Sequence, residues 1–119
     1  MQFVMLIYQG STPLPGTPEW EAMPEEEQQS VYAEYGALHK QEGLTQGLPL
    51  GLPENAMTVR VEGGEAVTSG GPYVDVKGAV GGYFILEADT AEEAVAVAAK
   101  VPAARLGGAI EVRPVATYW

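Results

Sequence analysis

The chain has no cysteine and only one histidine, His39. The first absence removes disulfides, thiolate metal sites and a cysteine nucleophile. The second leaves no multi-histidine zinc site within one chain. No acidic spacing matches a hard-cation loop, so no metal or other cofactor is expected. Basic residues are scarce as well. Lys40, Arg60, Lys77, Lys100, Arg105 and Arg113 stand against 16 acids, for a formal net charge of -10. The bases are scattered, whereas direct nucleic-acid binding needs a concentrated positive surface. An acidic surface favours solubility and is repelled by anionic membranes. No apolar run approaches the ~20 residues of a membrane span. The run from Phe3 to Tyr8 is too short for a signal peptide's apolar core and has no basic residue before it, so the expected location is the cytoplasm. Ser11, Ser30 and Ser69 have ordinary loop or helix settings, not that of a nucleophile elbow.

What remains is ample for folding. A chain of 119 residues with 46% hydrophobic content predicts one domain with a real core. Phe3 to Tyr8 reads as a strand in which both alternate sets are apolar, so it wants cover on both faces. Helices can cover one; a second sheet or another subunit must cover the other. Residues 9–18 hold three prolines and two glycines and read as a loop. Trp20 follows, either as a lid on the core or as a pocket wall. Pro24 and Glu25-Glu26-Glu27 suit a helix start, and Val31, Tyr35 and Leu38 form one apolar stripe. A helix is predicted over 24–42, closed by Gly43, with Tyr32, Tyr35 and His39 on one side.

A short edge strand is expected near Gly47 to Gly51, because Pro49 cannot donate to a ladder. Ala56 to Val61 alternates, with Met57, Val59 and Val61 expected inward, and Gly63-Gly64 predicts a hairpin to Ala66-Val67-Thr68. Val80 to Glu87 is a strong strand. Thr90 and Glu93 fit a capping box ahead of Ala94, Val97, Ala98 and Val101 at helical spacing, with Pro102 as the stop. Ala109 to Arg113 is the last strand, followed by an aromatic tail expected to pack on a partner or the sheet edge. With the hairpin removed the order is βαββαβ. The predicted fold is therefore α+β: a ferredoxin-like plait with an inserted β-hairpin and an antiparallel sheet.

Chemistry concentrates in few places. His39 is the one side chain that titrates near neutrality unaided, and with Asp75 it would make a general acid–base pair. The alternative is a histidine whose cation suits a helix end. Asp75 and Lys77, two apart, share a side of an extended segment and either grip a ligand or form one surface ion pair. Gly81-Gly82 either admits a ligand to the backbone or forms a bulge. Tyr73 and Tyr83 either stand at a pocket rim, offering a flat face and a hydroxyl, or belong to the core rim and a dimer interface. Arg105 and Lys77 are candidates to orient an anionic substrate.

The motifs together resemble the YCII-related family, in the branch named after its Asp-Gly-Pro-Phe motif. The resemblance is carried by Met5-Leu6-Ile7-Tyr8, Ala56 to Val61 with its glycine hairpin, Pro72, Lys77, Gly81-Gly82-Tyr83, Pro102 to Arg105, and Glu111 to Val115. It implies a ferredoxin-like domain that dimerises through its sheets. It implies no settled biochemical function; some members have a proposed His–Asp site, and many accompany sigma-factor-type transcription proteins. Two departures stand out. The motif's Asp is Gly70 here and its Phe is Tyr73, although Asp75 keeps a nearby acid. His39 matches no family motif, so the family's histidine role is not carried to it.

Three readings follow. The first is a small-molecule binding or regulatory module, homodimeric, with its cleft between the first helix and segment 70–83. The second is an acid–base enzyme using His39 and Asp75. The third is a structural accessory to a transcription protein.

Overall fold

The computed structural model describes residues 1–74 and 80–118. Four strands make one antiparallel sheet: β1 (Gln2–Tyr8), β2 (Leu44–Pro49), β5 (Val80–Glu87) and β6 (Ala109–Pro114), in the spatial order β2-β5-β1-β6. Between β2 and β5 in the chain, β3 (Met57–Glu62) and β4 (Glu65–Gly70) pair as a separate hairpin. The helices are α1 (Pro18–Glu21), α2 (Glu25–Leu38) and α3 (Ala91–Ala98). The α+β class and the antiparallel sheet are as expected. With the hairpin and the short α1 set aside, the order is β1-α2-β2-β5-α3-β6.

The period of two decides which side of the sheet holds the core. Phe3, Met5 and Ile7 on β1 and Phe84 and Leu86 on β5 are buried with Leu38 of α2 and Ala94, Val97 and Ala98 of α3. Met5 sits opposite Phe84 on one side and Val112 on the other, so it fills the middle of the sheet. The small residues of α3 let it lie close to the strands. Val4, Leu6, Tyr8 and Ile85 alternate to the opposite surface, where they are half-buried. Among the described residues, no helix is long and apolar enough to cross a membrane.

Local signals set most boundaries. Thr90 caps α3 by accepting from the Glu93 N–H at 3.2 Å, and the Glu93 carboxylate accepts from the Asp89 N–H at 3.0 Å. The hairpin turn uses Gly63 and Gly64 at φ 58° and 82°, the left-handed pair that a tight two-residue connection requires.

Four expectations need correction. The proline-rich loop ends in a helical turn: Thr17 accepts from the Trp20 N–H at 3.3 Å, and Pro18 starts α1. That turn buries Trp20 edge-on to Tyr32, with ring centroids 5.4 Å apart. The second helix stops at Leu38 and not at residue 42, because the Lys40 and Gln41 N–H groups bond three residues back and tighten the chain. The edge strand starts earlier, at Leu44 and not Gly47. Most consequential, Met57, Val59 and Val61 do not face inward. They are 76%, 59% and 72% exposed, because the hairpin forms its own sheet away from the core. Alternation shows that the three share a face; it does not say what that face meets.

Candidate functional site

The site begins with two irregularities on β5. On one side Ile7 pairs with Gly82 and Tyr8 with Val80, so Gly81 is the extra residue of a bulge. On the other side the β2 ladder breaks between Gln46 and Pro49. Gly47 lies so close to β5 that a Cβ there would collide with the Tyr83 carbonyl. Ladder bonds that would hold the strand ends together are therefore redirected, with the Leu50 N–H donating to the Gly81 carbonyl at 2.9 Å.

These breaks open a cavity of about 270 Å³ between the sheet end and α2. Gln9, Tyr35, His39, Pro49, Gly82 and Phe84 are among its walls. Tyr35 and His39 stand one helical turn apart, so α2 presents both to the same space. His39 is also the residue at which α2 ends. Tyr35 is half-buried, and that burial, then the neighbouring Glu34 carboxylate, raises its pKa above the ordinary tyrosine value. Its hydroxyl thus stays protonated and available as a donor across the physiological range. Gln9 leaves the end of β1 and crosses Gly81. A Cβ at Gly81 would sit 2.5 Å from Gln9 Cγ and 2.6 Å from Nε2, so the missing side chain is what makes room for the amide. The Gln9 Oε1 atom is buried without a hydrogen-bond partner.

The residues singled out in the sequence are distributed among several places. His39 and Tyr83 line this cavity. Tyr73 is 75% exposed, while its neighbours Pro72 and Val74 line a different cavity of about 510 Å³ with Tyr8, Leu50, Leu52 and Val80. Of the segment 70–83 expected to face the first helix, residues 81–84 line a space with α2, and residues 72 and 74 line one with the loop after β2. Arg105 lies elsewhere, with Nη2 2.8 Å from both carboxylate oxygens of Glu34, in a groove of about 530 Å³ at the ends of α2 and α3. Asp75 and Lys77 lie outside the described residues, as does the segment that would pair Asp75 with His39.

Sequence reasoning missed Gln9, Gly47 and Pro49 as site residues. For Gln9 the available signal was weak: one polar residue directly after an apolar strand. In the sequence Gly47 marks only one end of an edge strand, and Pro49 only a residue that cannot donate to a ladder. Among the described residues, no group of three or more His, Asp or Glu side chains is placed to hold a metal ion.

The architecture defines an α+β domain with a cavity at a bulged sheet end. The YCII-related domain matches residues 1–118, and the chain belongs to that family. No curated protein matches the chain.

Proposed function

We propose that the protein is a small-molecule binding or regulatory module that acts as a homodimer, with its site in the cavity between α2 and the bulged ends of β2 and β5. One observation carries this reading. A histidine, a protonated tyrosine and a carboxamide line one half-open hollow together with three glycines. A few convergent polar groups in an otherwise apolar hollow are what fix a ligand's orientation. A thermal-shift screen across metabolite classes tests the reading. A true ligand at about 100 times its Kd stabilises by about 2.7 kcal/mol. His39→Ala and Tyr35→Phe should each reduce that stabilisation. If no class stabilises the protein, or if both variants respond as the parent does, the cavity is not the site.

Pairing of two copies is supported by two apolar surfaces. Val4, Leu6 and Ile85 alternate to the sheet face opposite α2 and α3, and Met57, Val59 and Val61 are open on the hairpin. Light scattering in dilute solution tests this part, and a stable monomer would end it.

A second reading is favoured by the position of His39 on the cavity wall. In it, His39 and Asp75 act as a general acid–base pair on a bound substrate, which requires the two groups to be within hydrogen-bond reach or one water apart. Asp75→Asn and His39→Gln should then each abolish turnover of a substrate while leaving its binding measurable.

A further inference from the structure

We infer that the cavity between α2 and the bulged sheet end takes a small monoanion with an apolar body, such as an aromatic carboxylate, its charged head at the mouth against His39 and Tyr35. This rests on the cavity being the binding site proposed above and adds the ligand's charge and shape.

The charge balance of the walls carries the inference. Among the described residues of the lining there is no carboxylate, lysine or arginine, and His39 is the one group able to bear a positive charge. A ligand cation would find no counter-ion there. The chain's net charge of -10 opposes any anion, so one imidazolium answers one negative charge and leaves a second unanswered. His39 stands where its cation is favoured, because it closes α2 and the helix dipole is negative at that end. The neighbouring charges do not cancel this. On α2 the Glu34 carboxylate is held by Arg105, with Nη2 2.8 Å from both oxygens, and Lys40 adds a positive charge next in the chain. Glu42 lines the groove at the helix ends and not this cavity. From β5 the titratable group on the lining is Tyr83, and the described lining from β1 and β2 brings none.

Two donors stand together on the wall. His39 keeps helical backbone angles, φ -62° and ψ -20°, and its N–H donates to the Tyr35 carbonyl at 3.1 Å, so the two side chains lie one turn apart. His39 is exposed and so belongs to the mouth, while the half-buried Tyr35 keeps its proton and donates from its hydroxyl. His39 already interacts within the protein, but an imidazolium has two N–H groups, so it can do so and still donate to a ligand. A carboxylate has an oxygen for each donor, and charge-assisted hydrogen bonds are roughly twice as strong as neutral ones. Ile7, Phe84 and Pro49 supply apolar wall for the body. A space of about 270 Å³ lies just under the usual range for drug-sized ligands, which fits a single ring. The groove at the helix ends, with Lys40, Lys100 and Arg105, is the other place for an anion. There Arg105 is bonded to Glu34, Lys100 donates to Gln41 at 3.3 Å, and Glu42 stands beside them. Since the imidazole must be charged to hold the ligand, binding takes up a proton and weakens as pH rises.

The test titrates benzoate, benzamide and benzylammonium, all of similar size, into the full chain. NMR follows the binding at about pH 5.5 and about pH 8.5, on either side of the range in which imidazoles change charge. At the lower pH benzoate should move the His39 and Tyr35 signals saturably. Benzamide and benzylammonium, which lack the charge-assisted bonds, should bind about ten-fold more weakly or worse. Benzoate itself should weaken by about ten-fold or more at the higher pH. His39→Gln should lose most of the affinity and all of the pH dependence. His39→Lys keeps a cation and should hold benzoate at both pH values. Tyr35→Phe should weaken benzoate and preserve its pH dependence. A benzoate affinity that does not change with pH, or a pH dependence that survives in His39→Gln, overturns the inference. Benzamide or benzylammonium held in the cavity as tightly as benzoate overturns the charge class and leaves the site standing. Benzoate shifts confined to the groove of Lys40 and Lys100 overturn the inference as well. If none of the probes moves a cavity signal, both the class and the site fall.

Discussion

Gly36 and Gly47 allow one chemical change to be made twice with opposite results. Gly36 lies in the interior of α2, exposed, with nothing within 4 Å of the position a Cβ would take. Alanine there relieves the entropy cost of a helical glycine and should stabilise by about 0.5–1 kcal/mol. Gly47 lies against β5. A Cβ at Gly47 would be 2.7 Å from the Tyr83 carbonyl carbon and 2.8 Å from its Cδ2, besides colliding with the carbonyl oxygen. To reach an ordinary separation of 3.5–4.0 Å the strands would have to part by roughly 1 Å. Overpacking of that kind costs about 1–3 kcal/mol. One or two weakened ladder bonds add about 1 kcal/mol each. Setting these against the same entropic gain leaves a net loss of about 2–3 kcal/mol. In urea, with a slope of about 2 kcal/mol/M, the Gly47→Ala midpoint should fall by about 1 M and the Gly36→Ala midpoint should rise by about 0.3 M. A Gly47→Ala midpoint within 0.25 M of the parent's would show that β2 and β5 do not approach as closely as the cavity's shape requires. The account of the site would then be wrong at its base.

Three further expectations are independent of that one. Tyr35 has a raised pKa, so the folded state holds its proton more tightly than the unfolded chain. Its contribution is complete below the ordinary tyrosine pKa and is lost as pH rises through the folded value. Alkaline unfolding followed by tyrosinate absorbance should show a steeper loss of stability above about pH 10 in the parent than in Tyr35→Phe. Met5, fully buried at the centre of the sheet, should cost about 2–5 kcal/mol when truncated to alanine, measured by the same urea titration. The Glu34–Arg105 pair is partly exposed, so Arg105→Gln should cost no more than about 1 kcal/mol, and the difference should shrink in high salt.

The sequence carried the sheet and its burial well, because those follow from rules that act over a few residues. The alternation of Phe3, Met5 and Ile7 with Val4, Leu6 and Tyr8 placed one apolar set on each face, and the core took the first set. Thr90 and Glu93 marked the start of α3 through hydrogen bonds three and four residues long. His39 and Tyr83 were picked out by residue type, and both line the cavity. The same reasoning misjudged the hairpin. Its alternation correctly grouped Met57, Val59 and Val61, but the direction of that face depends on where a whole two-stranded unit sits relative to the main sheet.

By itself the chain determined where most of the strands and the two longer helices lie, which side chains share a face, and that cysteine chemistry is absent; each depends on composition or on spacing along a few turns or pleats. Only the tertiary structure brought Gln9 across Gly81, set Gly47 against Tyr83 and faced both with Tyr35 and His39. Those residues come from four separate segments of the chain, and their meeting depends on the register of β5 against β1 and β2. A slip of one residue would turn every side chain to the opposite face, so the cavity is a property of that register.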